Sequence, residues 1–351
     1  MSAFEAKMHQ PWIRDLPRYV PGVAPKVGEE GKLSSNESVL APPDRVLRAV
    51  LDAARRLNRY PDPLASGLRE VLARKMGLSE DAILVGNGSD ELIYLLAMAY
   101  LGPGSKVVVA DPPYLMDEIA SRALGAEVVR VPLDDYRHDL NAMAEVEADV
   151  AFIPNPHNPT GTAVPQAEIE RFLDTSGAQL VIVDEAYVDF ADDPQGMSSL
   201  RLIKATGRIV VLRTLSKLYG LAGARVGYMM ATPEIVETLR KIRAPFSVNA
   251  LAQAAAEAVL SDEGYAEKTR LLVRESRDRI GAAFEQAGYR VVPSQSNFVL
   301  VRASDERALL QKLESVGIVA RPGSVLSIAG HVRVSAAPLK VIERLEDALS
   351  V

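Results

Sequence analysis

The sequence predicts an α/β fold: a mostly parallel sheet covered by helices, followed by a smaller α+β unit. Three observations lead there. From Pro42 to about Pro245, short apolar runs alternate with helical patterns, which is the βα rhythm of a parallel sheet. Several runs, including Val107-Val108-Val109, Leu180-Val181-Ile182-Val183 and Ile209-Val210-Val211-Leu212, are apolar at every position, as strands buried on both faces must be. Beyond Pro245 the pattern changes to long amphipathic helices interleaved with short strands.

The elements follow in order. Residues 1–41 are Pro-rich and irregular, and are expected to wrap onto another part of the molecule. Strands are predicted at Ala82–Val85, Lys106–Ala110, Glu127–Val131, Asp149–Ile153, Gln179–Val183 and Arg208–Leu212, with helices such as Asp90–Leu101 and Gln166–Thr175 between them. Then come an Ala-rich helix, Val248–Leu260, and a charged amphipathic helix, Asp262–Ala287. Short strands at Arg290–Val292, Phe298–Val301 and His331–Val334 alternate with helices Asp305–Val316 and Pro338–Leu349. The expected division is a large unit at 42–255, and an arm with a small unit at 1–41 and 256–351.

Composition removes several function classes. At 351 residues with 48% hydrophobic and 25% charged residues, the chain can bury a large core. Its 40 basic and 46 acidic residues give a formal charge of −6, so no global field attracts nucleic acid or anionic lipid. Without cysteine there is no disulfide, thiolate metal site or cysteine nucleophile; this fits a reducing cytoplasm. Met1–Pro17 has no apolar core of a signal peptide, and the apolar stretch Leu92–Leu101 is too short to span a bilayer. His9, His138, His157 and His331 show no metal-ligand spacing, so no metal site is expected. Trp12, the single tryptophan, reads as an apolar anchor for the arm.

Ligands of open α/β sheets collect beyond the carboxyl ends of the strands, so the residues after each strand carry the chemistry. Gly86-Asn87-Gly88-Ser89-Asp90-Glu91 precedes a helix, and its free N–H groups suit a phosphate. A P-loop is excluded because no Lys-Ser/Thr follows. A dinucleotide fingerprint is half met by Gly86, Gly88 and Asp111, but Glu91 stands where a small residue belongs. Pro154-Asn155-Pro156-His157-Asn158-Pro159-Thr160-Gly161 is a rigid loop that holds two amides at a strand end. Asp184-Glu185-Ala186-Tyr187 puts a carboxylate directly after four apolar residues, where a charge needs a partner. Lys217 follows Thr214 and Ser216 in a Gly-rich segment, with Arg225 eight residues on. An amine, an acid, a phenol, an amide, an arginine and a phosphate-binding helix end are together what pyridoxal 5′-phosphate (PLP) requires.

On these motifs the chain resembles the fold-type I PLP-dependent aminotransferases of class I/II, whose large unit has a mostly parallel seven-stranded sheet. Pro17-Arg18-Tyr19-Val20-Pro21-Gly22, Leu33-Ser34-Ser35-Asn36-Glu37, Arg59-Tyr60-Pro61-Asp62, Pro293-Ser294-Gln295-Ser296-Asn297-Phe298 and Gly317–Gly323 look like the histidinol-phosphate aminotransferase family. The resemblance implies Lys217 as the Schiff-base lysine and proton carrier, and Asp184 as partner of the ring nitrogen. It implies Tyr187 and Asn158 at the ring phenolate, Tyr114 stacked on the ring, and Ser89, Asp90, Thr214, Ser216 and Arg225 around the phosphate. Tyr60 would reach that phosphate from a second subunit, so a homodimer is implied. Arg333, Arg321, Tyr19 and Asn36 would line the substrate side. The implied reaction is ping-pong transfer between histidinol phosphate and 2-oxoglutarate. Departures from the family pattern fall at Ser38-Val39-Leu40-Ala41, at Pro112-Pro113-Tyr114-Leu115-Met116-Asp117 and at Ala336-Ala337. All are expected on the substrate side or the access loop, away from the cofactor set. The alternatives are an aromatic-amino-acid aminotransferase, a PLP decarboxylase of a phosphorylated amino acid and, remotely, a nicotinamide-dependent dehydrogenase.

Overall fold

The structure, a computed structural model, describes residues 10–22 and 30–350. His9, with the rest of residues 1–9 and with residues 23–29, lies outside the described residues.

The strands in chain order are β1 Ile83–Gly86, β2 Lys106–Asp111, β3 Glu127–Pro132, β4 Val150–Pro154, β5 Leu180–Asp184, β6 Ile209–Thr214, β7 Gly227–Met230, β8 Arg290–Val292, β9 Phe298–Arg302, β10 Arg321–Pro322 and β11 His331–Ser335. The first seven form one sheet in the order β1-β7-β6-β5-β4-β2-β3, and the last four form a second sheet in the order β10-β11-β9-β8. In the large sheet β2 to β6 pair parallel, while β7 runs antiparallel to both β6 and β1. The fully apolar runs are the central strands, and every residue of β4 and β5 is buried. Burying one such side chain contributes about 1.5–3 kcal/mol. β7 escapes the alternation pattern because Gly-Tyr-Met-Met is too short and too unlike a β-branched run to announce a strand. The helices Asp44–Ala54 and Ser66–Met76 also precede the first predicted strand.

Register places the carboxyl ends level. Pro154 pairs with Asp184, and Asp184 with Leu212. The antiparallel β7 begins at the same edge, with Gly227 opposite both Thr214 and Gly86. Every loop singled out from the sequence therefore leaves the sheet on one side.

The helices Ala250–Leu260 and Glu263–Gln286 lead from the first sheet to the second. The early segment closes on both sheets. Trp12 Nε1 donates to the carbonyl of Ala123 at 3.0 Å and its indole lies against Gly125. Lys32 bridges to Val319, and Leu33 is buried in the core of the second sheet. No helix among the described residues is long and apolar enough to cross a membrane.

Candidate active site

A cleft of about 340 Å³ opens at the carboxyl edge of the large sheet, lined by Ser89, Asp90, Tyr114, Asn158, Asp184, Tyr187, Thr214, Ser216, Lys217 and Arg225 among others. A smaller compartment of about 110 Å³ adjoins it, lined by Tyr19, Asn36, Arg321 and Arg333. The two share Ser35, Tyr114, Asn158, Tyr187 and Lys217. Of the sequence-predicted site residues only Tyr60 lies away from both. It is 81% exposed and stacks on Phe246 at 4.5 Å between ring centroids.

Asp184 ends β5 and is buried. One oxygen accepts from the Ala186 amide at 2.9 Å. Burial pushes its carboxyl up to about 7; Asp90 and Glu185 act in the same direction, and Lys217 opposes. Lys217 Nζ donates to the Ser35 carbonyl at 3.3 Å and lies 5.8 Å from the Tyr187 ring centroid. Asn36 Nδ2 donates to the Tyr187 hydroxyl at 3.0 Å, which leaves that hydroxyl's own proton free to be donated elsewhere. The Ser335 hydroxyl lies 2.8 Å from Asn36 Oδ1, and the Asn36 amide donates back to the same hydroxyl at 2.9 Å. Asn36 thus lines the smaller compartment with its own side chain engaged.

The phosphate-type end is built at the start of the helix Gly88–Tyr100. Arg225 Nη2 lies 3.4 Å from Asp90 Oδ2, the Tyr114 hydroxyl donates to Asp90 Oδ1 at 3.0 Å, and the Ser216 amide donates to Thr214 Oγ1 at 3.1 Å. Two glycines keep this cup open. A Cβ on Gly227 would lie 2.6 Å from the Ser89 amide nitrogen, and one on Gly88, at φ +77, would lie 2.6 Å from Arg225 Nη2. Glu91 does not face the cup; its carboxylate accepts from the Asn87 amide at 2.5 Å and from the Ser247 hydroxyl at 3.2 Å. Asp111, the acid of the half-met dinucleotide pattern, is exposed, lies 3.4 Å from Arg130 Nη1 and does not line the cleft.

In the smaller compartment Arg321 and Arg333 are cross-strand partners on β10 and β11, each 5% exposed. Arg333 donates to Asn158 Oδ1 at 2.6 Å and to the Ser34 carbonyl at 3.0 Å, while its Nε has no partner. Arg321 donates to the Val20 carbonyl and lies 5.9 Å from the Tyr19 ring centroid. Burial lowers both guanidinium pKa values, that of Arg333 to about 10. No carboxylate forms an ion pair with either among the described residues. Two adjacent buried cations of this kind call for an anionic ligand.

Some contributors escaped the sequence reading. His157, one of the histidines without metal-ligand spacing, is fully buried and joins two loops of the site: Nε2 lies 3.1 Å from the Pro112 carbonyl and Nδ1 lies 2.8 Å from Thr160 Oγ1. Burial holds its pKa well below the ordinary value, so it acts as a neutral brace. The carbonyls of Ser34 and Ser35 hold Arg333 and Lys217; backbone acceptors leave no side-chain signal. One departure lies elsewhere than expected and another only in part where expected. Pro113, Tyr114 and Leu115 line the smaller compartment, whereas Asp117 lines neither compartment and is buried within the field of Asp184. Ala336 and Ala337 are buried behind β11, their amides donating to the Asn297 carbonyl at 2.8 Å and to Ser276 Oγ at 2.7 Å.

Residues 30–349 match the family described as aminotransferase class I and II. Over 336 residues the chain is 38% identical to a histidinol-phosphate aminotransferase of Moorella thermoacetica, covering 92% of this chain and 87% of that one. It is 39% identical over 324 residues to an aromatic amino acid aminotransferase of Thermobifida fusca, covering 89% and 90%. Its fold is similar to that of the histidinol-phosphate aminotransferase from Sinorhizobium meliloti solved in complex with pyridoxal-5'-phosphate, with a TM-score of 0.87, 29% identity, and 98% and 96% of the two chains covered. A lysine and a buried aspartate facing one cleft, two glycines holding a cup open beside an arginine, and a family match over nearly the whole chain agree: this protein belongs to the class I and II aminotransferases.

Proposed function

We propose that this chain is a PLP-dependent aminotransferase that moves the amino group of histidinol phosphate to 2-oxoglutarate in histidine biosynthesis, by a ping-pong cycle. The carrying observation is that one cleft joins Lys217 and Asp184 to a compartment with two buried arginines that lack a carboxylate partner. The residues fit the cofactor. The buried Asp184 suits a protonated ring nitrogen, and the cup bounded by Gly88, Ser89, Gly227 and Arg225 suits a phosphate.

When bound, PLP supplies an electron sink for the pair left at the substrate Cα after proton loss. The chain's own residues do the rest. Asp184 holds a negative charge at the base, Tyr187 and Asn158 offer donors at one edge, and Lys217 Nζ carries the proton at the centre. Tyr114 covers one face of the cleft. Arg333 presents a fork suited to a carboxylate or phosphate, and Arg321 with Tyr19 extends that anion site. Asn36 acts through Tyr187. Tyr187→Phe is expected to weaken PLP binding by roughly 10- to 100-fold, since a hydrogen bond to a charged group is worth about 1.5–3 kcal/mol. An unchanged PLP dissociation constant would remove the hydroxyl from this role.

The reading keeps a large unit at 42–255, which carries β1 to β7, and an arm with a small unit at 1–41 and 256–351, which carries β8 to β11. A cytoplasmic homodimer completes the reading. Tyr60 and Leu57 are exposed at 81% and 66%, apolar surface suited to a second copy, and Tyr60 would then reach the partner's phosphate site.

The test is an absorbance scan of PLP-loaded protein. A visible band should shift on adding histidinol phosphate and return on adding 2-oxoglutarate. A band indifferent to histidinol phosphate but answering an aromatic amino acid would favour the alternative that the Thermobifida relative suggests. Carbon dioxide release without amino transfer would mark a decarboxylase. No band at all with added PLP would end the cofactor assignment.

A further inference from the structure

Asp117 lies in the first turn of the helix Leu115–Ala123, which starts directly after the cleft residue Tyr114. It is 1% exposed, and its Oδ1 has no hydrogen-bond partner. Its neighbour Glu118 is just as buried, but Arg122 and Arg130 hold it at 2.8 and 2.5 Å. No cation pairs with Asp117 among the described residues. The groups whose fields reach it are the acids Asp184 and Asp90, and Tyr114 lies within its own field. Each of those acids has a cation of its own: Arg225 stands 3.4 Å from Asp90, and Lys217 acts on Asp184. A buried carboxylate without a cation or a full set of donors is costly, and keeping the proton removes the cost. Burial, with Asp184 and Asp90 adding to it, pushes the Asp117 carboxyl well above the usual range.

We propose that Asp117 is a positioning residue of this site: an uncharged carboxylic acid that fixes the order of ionisation beneath the cleft, so that Asp184 and not Asp117 carries the negative charge there. That Asp184 faces a cofactor ring rests on the function proposed above; the order of ionisation does not. Two buried acids within each other's field cannot both ionise easily. A neutral Asp117 keeps the second charge out of the base.

The test uses the cofactor-free protein first. The folded chain holds a proton on Asp117 that the unfolded chain releases near its ordinary pKa of about 3.9. Wild-type stability should therefore fall with rising pH relative to Asp117→Asn, which cannot ionise. Between pH 5.5 and 8.5 the melting-temperature advantage of Asp117→Asn should grow by roughly 2 °C per pH unit until the folded pKa is passed. Asp117→Leu replaces it if the amide variant does not fold. An advantage constant with pH overturns the proposal. In an Asp184→Asn background the growth should stop at a lower pH, because one of the two acids that raise Asp117 is gone; growth that stops at the same pH in both backgrounds overturns the link to Asp184. Infrared difference spectra of wild type against Asp117→Asn at pH 8, where Asp184 is mostly ionised, should show a protonated-carboxyl stretch belonging to wild type, and its absence also overturns the proposal. PLP titration of the same samples separates the two readings. A visible band with a pH-independent stability gap defeats only the role of Asp117. A growing gap without any band defeats only the cofactor assignment.

Discussion

Lys217→Ala is expected to lower transamination by at least ~10⁴-fold, the combined loss of an amine nucleophile and a general acid–base. Lys217 is the only lysine among the described residues that lines the cleft, so no second amine there stands ready to substitute. Its Nζ makes one long hydrogen bond to the Ser35 carbonyl, so removing it should leave the fold intact. Turnover with histidinol phosphate and 2-oxoglutarate, read alongside circular dichroism, checks both halves. Lys217→Arg should be equally inactive, because a guanidinium stays protonated and cannot carry a proton to and fro. A near wild-type rate in either variant would remove Lys217 from its role.

Asp184→Asn should trade stability against function. The amide keeps the shape and loses the charge that a protonated ring nitrogen needs. Breaking such a buried pair costs about 3–5 kcal/mol, so PLP affinity should fall roughly 10²- to 10³-fold. The cofactor-free protein should behave in the opposite sense. The Asp184 carboxyl rises on folding from 3.8 to about 7 through burial. The folded chain therefore binds a proton that the unfolded chain has already released, and this favourable difference is lost as pH climbs from about 4 to 7. Above pH 7 the cofactor-free Asp184→Asn protein should be more stable than wild type, by at most on the order of 4 kcal/mol. Below about pH 4 the difference should vanish. Adding PLP should reverse the order at pH 8. Thermal melts of both proteins with and without PLP decide it; a wild type that is the more stable form without PLP at pH 8 would contradict a raised Asp184.

Much of this site was legible because its chemistry sits next to strands that announce themselves. Val181-Ile182-Val183 and Val210-Val211-Leu212 are uninterrupted apolar runs, so Asp184 and Thr214 could be placed at a carboxyl edge without any fold in hand. β7 could not, because its register with Thr214 and Gly86 is a long-range pairing that four residues do not encode locally. The neutral brace at His157 and the unpaired Asp117 were illegible for a different reason. Both matter through what surrounds them in space, the Pro112 carbonyl in one case and Asp184 and Asp90 in the other. Nothing in a one-dimensional pattern separates a buried acid with two arginines from a buried acid with none.

The placing of β11 between β9 and β10 has a consequence for the order in which the protein is made. The strands that carry Asp184 and Thr214, and the segment that carries Lys217, all precede residue 231, whereas β11 follows every other strand in the chain. Arg333 and Ser335 therefore leave the ribosome after the whole of the large sheet. Until they arrive, Asn36 lacks the hydroxyl that locks it and the second sheet lacks the strand that joins β9 to β10. During synthesis Asp184, Thr214 and Lys217 emerge well before Arg333 and Ser335, so the two adjoining compartments can be completed only when the last strand has been made.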